Sequence, residues 1–265
     1  MPVLRSIALA LLVAIAPPAR GAEPPIPLQY NLALDASITG ALGVSIVLLT
    51  IYQPALLPST CRWCTPPGID VAVRNALVWK DGARTADILS TVLVAAVPAS
   101  ALSYLLLSAN SRGDVNAGLV DSLLVTEAAA AAMLVNQIVK LLVGRKRPYA
   151  FFQNDLGYSE REDNLSFYSG HTSFAVSVTA ATVTVAAMRG YAGVGIAAGV
   201  GFTLSAAVGY FRIAADQHYL TDNLVGAVVG GLIGWAIPRI FHSPKPTAST
   251  GAALRMPPVG FAFAF

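Results

Sequence analysis

Six apolar runs, at 36–52, 86–108, 115–143, 172–188, 191–211 and 220–241, leave few folds open to this 265-residue chain. Each approaches or exceeds the ~20 residues that a helix needs to cross ~30 Å of hydrocarbon, with 172–188 at the short end of the range. In lipid the backbone must satisfy its own hydrogen bonds, so runs of this length predict transmembrane helices. The expected fold class is all-α, a polytopic membrane bundle of about six helices. Only 12% of the residues are charged, against about 25% in soluble domains, so lipid is the bulk solvent. Pro98, inside the second run, is tolerable in a membrane helix. The net charge of +3 is small and no basic stretch carries interleaved aromatics, which argues against a nucleic-acid partner.

Residues 1–22 read as a signal peptide, with Arg5 as the positive end, Ile7 to Ala16 as the apolar part, and Ala19-Arg20-Gly21 near a cleavage point. An uncleaved anchor is the competing assignment. Residues 23–85 hold the first apolar run, a Cys-x-x-Cys loop and an amphipathic stretch from Ile69 to Trp79. Ile69, Val73, Ala76, Leu77 and Trp79 fall on one helical face with Arg74 and Lys80 toward water, the pattern of an interfacial helix. Cys61 and Cys64 have no second pair, so a closed zinc site lacks ligands, and a small staple or two free thiols remain. Residues 86–241 form the core, and 242–265 a surface or disordered tail ending FAFAF. The glycines at 193, 195, 199, 201, 226, 230 and 234 predict close helix–helix approach. Glu127, in the interior of the third run, is assigned to packing within the bundle.

Ionisable groups gather where the helices leave the bilayer, and a charge at a helix centre costs about 2.5–3.5 kcal/mol by insertion scales. Lys140 with Arg147-Pro148 makes K-x6-R-P, Ser169-Gly170-His171 makes S-G-H, and Arg212, His218 and Asp222 make R-x5-H-x3-D. His218 and Asp222, four apart, share a face if both are helical, so the carboxylate can take the Nδ1 proton and leave Nε2 with a lone pair. Such a nitrogen is a nucleophile toward phosphorus or a metal ligand. Ser169 and Gly170 stand at a helix N-terminus, a ready anion site, with the Ser169 hydroxyl as a further donor. His171 at the same mouth can protonate a departing oxygen. Lys140 and Arg147, seven apart, lie within ~20° of one helical face, Pro148 disfavours helix at Arg147 so that the chain turns there, and Arg147 and Arg212 can each grip phosphate oxygens through paired N–H groups. Arg145 and Lys146 are assigned to the interface, touching lipid headgroups.

In order and spacing these motifs resemble the type 2 phosphatidic acid phosphatase family, which includes lipid phosphate phosphatases and shares its site with vanadium haloperoxidases. The resemblance covers about 86–241. It implies an integral membrane phosphatase acting on a lipid phosphate or a polyprenyl or lipid pyrophosphate. His218 would form a phosphohistidine, Asp222 would orient it and His171 would protonate the leaving group. Lys140, Arg147, Ser169, Gly170 and Arg212 would cradle the phosphate, with no cofactor and no metal. A lipid-linked phosphotransferase of the same fold and an inactive transport or scaffold protein are the alternatives. Tyr168 replaces the usual proline before Ser-Gly-His, and Phe211 the usual serine before the arginine. The family implies a bacterial cell membrane with the site facing the periplasm, whereas the Lys and Arg distribution favours a cytoplasmic site.

Overall fold

The computed structural model describes residues 23–57, 60–154, 156–158 and 160–245. The signal peptide expected at 1–22 and most of the 242–265 tail lie outside them. Eight α-helices follow one another among the described residues: α1 Leu32–Leu56, α2 Gly68–Leu77, α3 Ala83–Ser111, α4 Val115–Val143, α5 Pro148–Phe151, α6 Gly170–Arg189, α7 Val194–Ala214 and α8 Leu220–Phe241. A 3-10 turn, Glu160–Glu162, lies between α5 and α6. Six of the helices, all but α2 and α5, are long and apolar enough to cross a membrane; five cover a predicted run, and α7 begins three residues later than the run at 191–211. The chain is a multi-pass membrane protein.

Local sequence sets the helix ends. The Asn31 side chain accepts from Leu34 N at 3.2 Å to start α1, and Asp114 from Ala117 N at 2.9 Å to start α4. Gly144 stops α4 in the left-handed region at φ 58°. Pro148 follows within four residues and opens α5 at its first turn, where a missing N–H costs nothing.

α6 is the most buried span, with α3, α4, α7 and α8 packed on it. A Cβ at Gly226 would stand 2.7 Å from the Ser169 carbonyl oxygen, and at Gly230 and Gly234 it would collide with the carbonyls of Ser173 and Ser177. The two GxxxG units therefore lay α8 directly on the α6 backbone, bringing the start of one helix beside the start of the other. In α7 only Gly201 meets this need, pressed against Thr179 of α6. Gly193, Gly195 and Gly199 have nothing within 4 Å, so close approach does not explain them. α1 packs on α4 and leaves most of its surface for lipid.

α2 is helical as predicted, but its charges point the other way. Arg74 is buried and grips Asp216 through Nε at 2.7 Å and Nη2 at 2.6 Å, with its guanidinium 4.0 Å over the Phe152 ring. Ile69 and Ala76, both of the expected apolar face, are exposed. The reason is that Asp70 and Arg74, one turn apart, find buried partners of opposite charge on the core. α2 is a collar pinned to the bundle by ion pairs. Beside it Cys61 and Cys64 form a disulfide, the staple alternative.

Because the spans alternate in direction, the C-terminal ends of α1, α4 and α7 and the N-terminal ends of α3, α6 and α8 meet at one end of the bundle. At the other end Leu28 and Pro244 form a β-bridge that ties the beginning of the described chain to its end.

Candidate active site

The three motifs converge at the first of those ends, around a cavity of about 510 Å³. Lys140, Arg147, Gly170, His171, Arg212 and His218 all line it. Thr50 and Gln53 of α1, with Val94, Met133 and Phe174, give it a less polar side toward the helices.

Each cation reaches the cavity from a different element. Lys140 lies in the last turn of α4, beside the α6 start: a Cβ at Gly170 would stand 3.7 Å from its Nζ and 2.7 Å from Asn136 Oδ1. Glycine at 170 thus lets α4 close on the α6 N-terminus, and Asn136 Nδ2 secures the contact by donating to the Tyr168 carbonyl at 2.7 Å. Arg147 stands where the chain turns, as Pro148 leads one to expect. Gly144 has ended the helix, and Arg147 is extended before Pro148. Its Nε donates to the Glu162 carbonyl at 3.0 Å, its Nη1 to the Gln217 side-chain carbonyl, and its Nη2 to the Glu162 carboxylate at 3.2 Å. Arg212, in the last turn of α7, donates through Nη1 to Asp87 at 2.5 Å and to Ser90 at 3.3 Å. Its buried Nε has no hydrogen-bond partner among the described residues. The carboxylates that hold the two arginines stand at the rim, Glu162 53% and Asp87 28% exposed, so the inner cavity faces a positive excess.

The leading N–H groups of α6 have no acceptor within their own helix and add to that field. Ser169 does not line the cavity. It is the α6 N-cap, its Oγ 3.4 Å from Thr172 N and 3.0 Å from Thr172 Oγ1, so its hydroxyl serves the helix first. The expectation of a direct phosphate donor gives way to that cap.

His218 and Asp222 are near each other but do not share a helix face. His218 lies in the extended segment before α8, and Asp222 is in the first turn, with its Oδ2 3.6 Å from His218 Nδ1. Helical N-capping brings this carboxylate back: the same Oδ2 accepts from Tyr219 N at 2.9 Å. It also accepts from Ser166 Oγ at 2.5 Å, while Oδ1 takes Arg145 Nη1 at 2.5 Å. Burial, with Arg147 and Arg212 nearby, holds the His218 imidazole well below its ordinary pKa, so it is neutral and carries a lone pair.

Arg145 is the largest departure from expectation. Assigned to headgroups, it is instead 1% exposed behind His218, bonded to Asp222 and, at 2.6 Å, to Asp70 of α2. Its guanidinium is stacked between Trp63 at 3.9 Å and Tyr219 at 4.4 Å. Two carboxylates a long way apart in sequence supply what lipid headgroups were expected to supply. Asp70, Ser166 and Asn136 were missed because each acts through tertiary contacts alone. The nearest sequence signal was the Asp70–Arg74 spacing in α2.

Comparison with known proteins adds two matches. Residues 121–245 match the family model described as the PAP2 superfamily. The chain is also similar, at 18% identity and a TM-score of 0.45, to the crystal structure of the first transmembrane PAP2 type phosphatidylglycerolphosphate phosphatase from Bacillus subtilis, with 75% of this chain and 94% of that one covered. No curated protein matches the chain.

Proposed function

Residues 121–245 belong to the PAP2 superfamily, and on that premise we propose that the chain is an integral membrane phosphatase that hydrolyses a lipid phosphate monoester or a polyprenyl or lipid pyrophosphate through a phosphohistidine. The observation that carries this is the meeting of His171, His218, Lys140, Arg147 and Arg212 at one cavity. Tetrahedral anions are what such a group of cations and helix N–H groups attracts, and charge spread over a five-coordinate phosphorus is stabilised more than the ground state.

In the proposed first step His218 Nε2 forms a bond to phosphorus as the bond from phosphorus to the leaving oxygen breaks. His171 gives that oxygen its proton. In the second step His171 takes a proton from water, whose oxygen displaces the His218 nitrogen and yields inorganic phosphate. Asp222 is a positioning residue. Closing the 3.6 Å gap to Nδ1 would hold the ring and stabilise the positive charge it gains. Lys140, Arg147, Arg212 and the Gly170 end of α6 would hold the phosphate oxygens, and Ser169 would contribute by fixing that end.

Thr50, Gln53 and Val94 open the cavity toward the lipid-facing helices, which supports a substrate whose chain stays in the bilayer. The Cys61–Cys64 disulfide lies at the same end as the pocket, through the Trp63 contact with Arg145, and disulfides persist in oxidising compartments. That supports a bacterial inner membrane with the pocket facing the periplasm. An outward pocket puts residues 23–31 on the cytoplasmic side, an arrangement that a cleaved signal followed by a spanning α1 does not give.

The deciding experiment is release of inorganic phosphate from phosphatidate and from undecaprenyl pyrophosphate by purified protein, with and without EDTA, beside His218→Ala. Turnover in the variant equal to the wild type removes the proposed nucleophile. Labelling of a cysteine introduced at Tyr158 with a membrane-impermeant maleimide tests sidedness: reaction in intact cells supports the outward pocket, and reaction only after lysis reverses it.

A further inference from the structure

At the end of the bundle away from the phosphate pocket, Asp35 of α1, Glu127 of α4 and His242 just past α8 bring their ligand atoms within 4.8 Å of one another. All are buried, at 5%, 6% and 3% exposure. We propose that Asp35, Glu127 and His242 form a binding site for a divalent transition-metal cation of the zinc class.

The orientation of His242 carries this furthest. Its Nδ1 is 3.1 Å from the Gln29 carbonyl oxygen, an acceptor only, so Nδ1 carries the hydrogen and donates it there. In the neutral ring Nε2 then holds a lone pair, and it faces Glu127 Oε2 at 3.6 Å. Among the described residues neither atom has a hydrogen-bond partner. Two lone pairs facing one another in a buried space repel unless a cation stands between them. A carbonyl behind the distal nitrogen is also how metal-binding histidines are usually held. Asp35 is oriented in the same manner, its Oδ2 accepting from Asn31 N at 2.9 Å.

A proton is the competing cation. Burial pulls the His242 imidazole down, yet the Glu127 carboxylate and the Gln29 carbonyl more than offset it, so the ring titrates above its ordinary value. A proton still leaves the three side chains with one uncompensated negative charge, whereas a divalent ion neutralises them. Imidazole with two carboxylates is a zinc-class donor set, and a fourth position can be taken by water. Ligand atoms around such an ion lie roughly 3.3 Å apart, from bonds of about 2.0–2.1 Å, so the 3.6 Å pair needs little movement. The ion would lock α1, α4 and the end of α8 to the Leu28–Pro244 bridge.

The test uses the full chain, purified in detergent with a tag that contains no histidine, stripped with EDTA and titrated with Co2+. Saturable binding of about one equivalent with a ligand-field spectrum is expected, displaced by Zn2+. Glu127→Gln and His242→Gln should each weaken it at least ~10-fold, and His218→Gln should leave it unchanged, which separates this site from the pocket imidazoles. No saturable binding in the wild type, or equal binding in both of the first two variants, overturns the proposal and leaves a proton in the site. If those variants do not fold, the wild type decides: the thermal midpoint of the stripped protein rises on adding Zn2+, and an unchanged midpoint overturns the proposal.

Discussion

The two ends of this bundle are built from the same residue types with opposite balance. At the pocket end Lys140, Arg147 and Arg212 face inward while their carboxylate partners Glu162 and Asp87 stand at the exposed rim. At the other end Asp35 and Glu127 are buried with a single imidazole. One end has an excess of positive charge that an anion would neutralise, and the other an excess of negative charge that a cation would. Each end also holds a buried arginine faced by carboxylate, Arg145 with Asp70 and Asp222 on one side and Arg189 with Asp121 on the other. The contrast teaches that burial alone does not mark a site. Arg145 is as buried as His218, yet two carboxylates of the protein face it.

The sharpest break in that comparison is His218→Ala, expected to lower phosphate release by ~10⁴-fold or more because the proposed nucleophile is removed. Arg212→Lys, measured in the same assay, keeps a charge but loses the paired N–H geometry, and a drop of ~10²–10³-fold is expected. Equal kcat/KM in that variant would move Arg212 from the substrate to the rim. Asp70→Ala sharpens the contrast between answered and unanswered charge. It takes one of two carboxylates from Arg145 and the acceptor from Thr221 N, and an unfolding cost of about 1–3 kcal/mol is expected in denaturant or thermal melts. Gly230→Val forces a branched side chain into the Ser173 carbonyl and should cost about 1–3 kcal/mol, read in the same melts.

The smallest expected effect is on pH dependence. Folded His218 binds its proton less readily than an unfolded histidine with a pKa of about 6.5. The stability it contributes is therefore present above that value and is lost as the pH falls below it. Between about pH 7.5 and 5.5 the wild type should lose up to about 1.4 kcal/mol that His218→Gln does not lose. Equal losses in the two proteins would place His218 in contact with water.

Much of the site was legible because its residues sit in fixed relation to helix ends. Pro148 and the S-G-H sequence mark where α5 and α6 begin, and the two GxxxG units in α8 announce the contact with α6 that joins the second motif to the third. Helical spacing was a poorer guide near those ends. It put His218 on the α8 face, although the capping geometry at Tyr219 takes it out of the helix. Spacing also turned Arg74 toward water, since periodicity counts apolar residues and carries no term for a buried Asp216 waiting opposite. No spacing links Asp35, Glu127 and His242, which are separated by most of the chain.

Sequence by itself determined that the chain crosses a membrane repeatedly and which short motifs stand at the helix ends, because hydropathy, glycine and proline act over a few residues. Only the tertiary structure decided which charges are answered and which are left facing a cavity. Neutralisation depends on distances of a few ångströms between groups far apart along the chain, and in a low-dielectric interior that distance sets whether a charge binds its own protein or something else.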